Sequence, residues 1–301
     1  MAGARTLILA TDALHSHGLQ RGVLRVFQHT VAALAAEYGP GVVVCSARIW
    51  PGLAARRRWA PRLEGWLGAR ASLVLGLRER YAALVAAVER PAVLYSPYYG
   101  ALPSRAPQVY TVYDMAFERL PEHYPPTKYR VRRQIADKRR CLERGALLLA
   151  ISETTAREIR AVYPALDPAK IVVVPLGVEE VFFSAAAPMA AGRPYFLFAG
   201  NRHLYKNFAA LVRAFARSGL AERYDLRVFS PGAPELTAEE RALVAGHGLE
   251  GRVLLSAAPS DEQVRDLYAG AAALVCPSLY EGFGLPVLEA MACGTVVAAS
   301  G

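Results

Sequence analysis

Short runs of β-branched and aromatic residues recur along the whole chain, and longer stretches with apolar residues at helical spacing fill the gaps between them. Alternation of period two with period 3.6 is the pattern of an α/β protein. In the first half Thr6–Thr11, Val42–Ala47, Ala92–Ser96, Val109–Tyr113, Leu147–Ile151 and Ile171–Val174 are expected as strands. In the second half the expected strands are Tyr195–Ala199, Leu226–Ser230, Val253–Leu255, Ala273–Cys276 and Thr295–Ala299. Several, such as Val42-Val43-Val44 and Leu147-Leu148-Leu149, are apolar on both faces. Parallel strands covered by helices on each side read this way. Val23, Phe27, Val31 and Leu34, and again Phe208, Leu211, Val212 and Phe215, fall on single helical faces.

With 301 residues, the chain is long enough for two such domains. A content of 53 % hydrophobic and 20 % charged residues excludes a disordered chain. The segment 183–194, Phe-Ser-Ala-Ala-Ala-Pro-Met-Ala-Ala-Gly-Arg-Pro, follows neither period and is expected as a linker between domains 1–182 and 195–301. Two doubly wound sheets facing one another would enclose a cleft for two substrates at their carboxyl edges. No apolar run reaches the roughly 18–20 residues that span a bilayer, and the first thirty residues lack the features of a signal peptide. The reading is therefore of a cytoplasmic protein, with Cys45, Cys141, Cys276 and Cys293 as buried thiols. The net charge of +9 is unevenly spread, with +12 in residues 1–150 and −3 in the remainder. Such polarity suits an anionic partner for the first half.

The richest stretch for chemistry runs from Pro277 to Gly294. A strand ends at Cys276, a loop carries Glu281-Gly282-Phe283-Gly284, and Leu285-Pro286 opens a helix, where proline is well tolerated. Gly282 and Gly284 let backbone approach a ligand, and the free N–H groups of a helix start favour a phosphate. Glu281 and Glu289 flank this anion site, both expected towards the strand ends, where carboxylates would accept hydrogen bonds from sugar hydroxyls. An ordinary solvated pair of glutamates is the alternative. After the strand 195–199, Gly200 permits a tight turn, and Arg202 and Lys206 place two cations beyond it. They would neutralise a departing diphosphate in place of a divalent metal, unless they are simply surface cations. No Asp-x-Asp pair occurs, and no histidine has trustworthy zinc-ligand spacing.

Glu281 with Glu289 around Gly-Phe-Gly-Leu-Pro, Gly200 with Arg202 and Lys206, Ile151-Ser152-Glu153 and the run Ile171–Val178 together resemble the signatures of retaining glycosyltransferases of family four. The resemblance implies the GT-B fold, two Rossmann-like domains of which the first is on the acceptor side and the second binds a nucleotide sugar. It implies that Glu281 contacts hydroxyls of the transferred hexose, Glu289 the ribose, and Arg202 with Lys206 the diphosphate. Gly200, the backbone of Gly282, Phe283 and Gly284, and Leu285 belong to the donor pocket, with no metal and no cofactor beyond the GDP- or UDP-linked donor. Gly22 resembles the glycine loop by which the acceptor domain approaches the donor, although Leu24 replaces a second glycine. Tyr113-Asp114 resembles a motif that often reads His-Asp, so Asp114 matches and Tyr113 stands in place of histidine. Relatives continue past Ser300-Gly301, so the second domain is expected to be incomplete.

The motif Gly-Asn-Arg-x-x-Tyr-Lys-Asn is similar to mannosyltransferases and favours GDP-mannose as donor, with a glycan or lipid-linked acceptor. Arg56-Arg57-Arg58-Trp59, Arg62, Trp66 and the basic run Lys128 to Arg144 suit peripheral contact with an anionic membrane. No nucleic-acid module accompanies the charge. A GT-B-fold UDP-sugar epimerase and a non-catalytic nucleotide-sugar-binding protein are the competing readings.

Overall fold

The computed structural model describes residues 6–9, 26, 29–30, 32–34, 36–37, 42–45, 91–96, 98–99, 104–184, 192–202, 204–231, 233–258 and 260–300. They form two compact units, residues 1–175 and 176–301. The first holds β1 (Thr6–Leu9), β2 (Val42–Cys45), β3 (Val93–Ser96), β4 (Gln108–Val112), β5 (Leu147–Ala150) and β6 (Ile171–Val173) in one parallel sheet of order β2-β1-β3-β4-β5-β6. The second holds β7 (Tyr195–Ala199), β8 (Asp225–Phe229), β9 (Val253–Leu255), β10 (Ala273–Cys276) and β11 (Val297–Ala299) in a parallel sheet of order β11-β10-β7-β8-β9. Both orders reverse direction within the sheet, which makes each unit doubly wound. Every strand expected from the sequence is present, several with an end moved by one or two residues.

The helices whose bounds are described are α1 (Ala116–Arg119), α2 (Tyr129–Arg144), α3 (Glu153–Val162), α4 (Phe208–Arg217), α5 (Ala238–Gly246), α6 (Asp261–Ala269) and α7 (Leu285–Ala292), and the described residues between 26 and 37 are helical as well. Alternate residues of β7 serve different cores, because successive strand side chains point to opposite faces. Tyr195 and Leu197 pack with Leu267 and Tyr268 of α6 and Ala290 of α7. Phe198 packs on the other face with Phe208, Val212 and Phe215 of α4 and Val244 of α5. Covering both faces explains why these strands are apolar throughout. In the first unit Tyr110, Val112, Leu148 and Ala150 pack against Cys141 and Leu142 of α2 and Ile159 of α3.

The two units meet between Pro175 and Leu176, seven residues before the expected boundary at 182. Phe182, in a short 3-10 turn (Glu180–Phe183), is fully buried in the second unit's core, with its ring edge-on to Tyr268 at 6.0 Å. Val178 and Val181 pack beside it. Small residues and proline made 183–194 look like the connection, but the chain has joined the second core before reaching them. Residues 185–191 of that expected linker lie outside the described residues.

Candidate functional site

From β7 the chain proceeds to β8 on one side, and after β9 it returns to place β10 on the other side of β7. The loops that leave β7 and β10 therefore diverge at the carboxyl edge and open a crevice, the position at which open parallel sheets bind ligands. The two loops that the sequence singled out are these two.

The β7 loop begins at Gly200, whose φ of +136° is strained for any side-chain-bearing residue and whose N–H donates to Phe229 O at 2.9 Å. It closes in a 3-10 turn (Leu204–Lys206) before α4. The β10 loop ends at Gly284, with φ of +87° as N-cap of α7, and Leu285 and Pro286 form that helix's first turn. Leu279 N donates to Tyr205 O at 2.8 Å, fastening the two loops together. Beside this bond Lys206 Nζ donates to both oxygens of Glu281, at 2.6 and 2.7 Å. Neither partner is fully buried. The ion pair places one cation and one carboxylate at the mouth of the crevice.

Arg202 is engaged elsewhere. Its side chain is only 5 % exposed, and its Nε donates to Glu240 at 2.9 and 3.0 Å. Its two terminal nitrogens donate to the carbonyls of Ala233 and Glu235 in the loop after β8. Glu289 follows within the helix itself. It is buried one turn into α7, and its Oε2 accepts from the Tyr268 hydroxyl at 2.9 Å. Helical periodicity turns it towards α6. Gly282 and Phe283 line the loop between Glu281 and the helix start, and both are partly exposed. Cys276, at the end of β10, lies 3.6 Å from Ser278 Oγ and 3.7 Å from Glu281. Burial pushes its thiol up, and the Glu281 carboxylate adds to that. Asn201, which the sequence presents only as part of a motif, and Ser230, which it does not single out, each bury a side-chain oxygen that makes no hydrogen bond among the described residues. Ser230 begins the loop after β8 and Asn201 is the second residue of the loop after β7, and a polar residue directly beyond an apolar strand was the available signal at Ser230.

Tyr113 and Asp114 follow β4 in the first unit. The Tyr113 hydroxyl is buried without a hydrogen-bond partner, and burial pushes it well above the usual phenol range. Asp114 Oδ1 accepts from Ala116 N at 3.0 Å and starts α1, while its carbonyl accepts from Lys138 Nζ at 3.0 Å. Lys138 is fully buried and pairs with Glu118 at 2.9 Å. It is therefore not part of the solvated basic face in which the sequence placed it. It sits on the stripe of Val131, Cys141 and Leu142 that α2 turns to the core. Gly22 and the stretch Arg56 to Trp66 lie outside the described residues.

The description Glycosyltransferase Family 4 matches residues 20–181, more than half of the chain, and Glycosyl transferases group 1 matches residues 181–301. The chain belongs to glycosyltransferase family 4. Among curated relatives, this family member is 34 % identical over 153 residues to the MMP alpha-(1->4)-mannosyltransferase of Mycolicibacterium hassiacum, covering 51 % of this chain and 36 % of that protein. It is 29 % identical over 201 residues to the O-antigen chain mannosyltransferase B of Escherichia coli, covering 64 % and 52 %. The matches thus span a third to a half of those relatives' lengths. The fold matches the sucrose-phosphate synthase of Thermosynechococcus elongatus with a TM-score of 0.70 at 17 % identity, over 99 % of this chain and 81 % of that one. It matches HepE of Anabaena in complex with UDP-glucose with a TM-score of 0.68 at 16 % identity, over 99 % and 80 %. These likenesses establish the GT-B fold for this family member.

Proposed function

We propose that the chain carries the donor site of a retaining, metal-independent glycosyltransferase that moves a hexose from a nucleotide-diphosphate sugar to a glycan or lipid-linked acceptor. The observation that carries this reading is the Lys206–Glu281 pair at the crevice between β7 and β10. A nucleotide sugar offers a diphosphate to the cation and hydroxyls to the carboxylate, so it satisfies both partners as they separate. In the transfer, the bond from the anomeric carbon to the phosphate oxygen breaks and the acceptor oxygen bonds on the same face. The acceptor's proton passes to the departing phosphate. Lys206 stabilises the growing charge there, Glu281 orients the sugar, and the backbone from Gly282 to Leu285 lines the pocket with N–H groups at the start of α7. Glu289 is the ribose-side carboxylate. Its Tyr268 bond uses one of about four acceptor sites and fixes its direction.

Mannose from GDP-mannose is the preferred donor, a reading supported by the two mannosyltransferases among the relatives. Thermal shifts with UDP, GDP and ADP test it, with the largest shift expected for GDP. A shift with UDP alone would turn the assignment to a UDP-sugar. Glu281→Ala is expected to abolish transfer while leaving the nucleotide's Kd no higher than in the parent chain, and turnover that survives this change would remove Glu281 from its role. EDTA is expected to leave turnover unchanged.

The exposed face of α2 carries Arg130, Arg132 and Arg144 together with Tyr129, which is 66 % exposed. Such a face supports peripheral contact with anionic lipid. Cosedimentation with anionic vesicles, and none with zwitterionic ones, is the expected result.

A further inference from the structure

Arg202 has the exposure and the partners of a clamp rather than of a free cation. One guanidinium joins three places: the loop after β7, on which it stands, the carbonyls of Ala233 and Glu235 in the loop after β8, and Glu240 in the first turn of α5. Glu240 is itself fixed, because its Oε2 accepts from Thr237 N at 2.8 Å while its own N–H donates to Thr237 Oγ1 at 3.2 Å. Any phosphate reaching Arg202 Nε would first have to displace a carboxylate that holds it with both oxygens. The two loops that the clamp joins also carry two buried polar atoms that make no hydrogen bond among the described residues, Asn201 Oδ1 and Ser230 Oγ. They lie within the first two residues of the two loops that Arg202 ties together, and β7 and β8 are paired up to Ala199 and Phe229 shortly before them. Buried polar atoms without partners cost free energy unless a ligand supplies the missing bonds.

We infer that Arg202 is a positioning residue: through Glu240 and the β8 loop it holds Asn201 and Ser230 towards the nucleoside side of the donor, and Lys206 alone meets the diphosphate. This rests on the nucleotide-sugar reading of the site and departs from the diphosphate role that the family resemblance implies for Arg202.

The two roles give opposite signs in one experiment. If Glu240 merely restrains a phosphate-binding arginine, Glu240→Ala frees Arg202 and nucleotides bind as tightly or more tightly. If Glu240 completes the clamp, the same change weakens UDP or GDP, whichever the parent chain binds, by about tenfold in isothermal titration. Thr237→Ala controls for the lost helix cap and is expected to stay within about twofold. Inorganic pyrophosphate, measured by competition, supplies a readout that general loosening would not separate. Its affinity is expected to stay within about twofold in Glu240→Ala, because it uses Lys206 and the start of α7. Equal losses for pyrophosphate and nucleotide, or unimpaired nucleotide binding, overturn the inference. Should Glu240→Ala fail to fold, Arg202→Lys keeps the charge but not the three-way grip, and nucleotide binding as tight as the parent's would overturn the inference equally. If the parent chain binds neither UDP nor GDP, the nucleotide-sugar reading itself falls, and the inference with it.

Discussion

Lys206 and Glu281 are 75 positions apart in sequence and 2.6 Å apart in space. Each is the other's partner until a ligand replaces it, so their removal has unequal effects. Lys206→Met is expected to weaken UDP or GDP binding by roughly ten- to a hundredfold, the range of a charge-assisted hydrogen bond, as read by titration calorimetry. At Gly200 the constraint is the backbone. An added Cβ would meet no atom within 4 Å, yet φ is +136°. Gly200→Ala is therefore expected to cost about 1–3 kcal/mol in urea unfolding through backbone strain rather than a clash. Glycine at this point was legible in the sequence because a turn directly after an apolar strand demands it. The partner of Arg202 was not, since nothing local marks Glu240 as the acceptor for a residue 38 positions earlier.

Among the elements, α2 best displays what a charge pattern conceals. Its sequence alternates cations so densely that every one looks solvated, and most are, with Arg139 bound to Glu143 and Arg140 to Asp137 on the outer face. Lys138 instead lies in the core, its ammonium also 5.1 Å from the centroid of the Tyr99 ring and 5.4 Å from that of Phe117. Helical spacing from Val131 and Cys141 held that information, and the expectation that charges stay outside overrode it. Lys138→Met leaves Glu118 buried and unpaired, which is expected to cost about 3–5 kcal/mol by chemical denaturation. Adding Glu118→Gln is expected to recover most of the loss. β8 offers the same lesson in a strand. Its start is expected at Leu226, but the strand opens one residue earlier at Asp225, a residue type disfavoured in strands that is held here by Arg193 and Arg252 at 3.3 Å each. β11 begins later than expected because Thr295 is committed to two helices, with its N–H on Ala290 O of α7 and its hydroxyl on Tyr268 O of α6.

Over the whole molecule, the two parallel sheets followed directly from runs that are apolar on both faces, whereas the division between units did not. A boundary is set by which core a side chain joins, and Phe182 chose the second. Each unit also carries a titration probe of its fold. Burial pushes Tyr163 in the first unit and Tyr195 in the second up to about 12. Unfolded tyrosine ionises near pH 10. The neutral phenols therefore contribute their full stability below pH 10, and that contribution is lost as pH rises from 10 through 12. Melting temperatures are expected to fall across that window, and Tyr195→Phe is expected to flatten the second unit's share. The matched charges of Lys206 and Glu281 have a consequence for selectivity. With its cation and anion mutually quenched, the crevice has less pull on a bare phosphate or on an unphosphorylated sugar than on a molecule that offers both functions, since either alone would strand one of the two charges. A molecule bearing both functions at the proper separation is the double key that satisfies the whole pair.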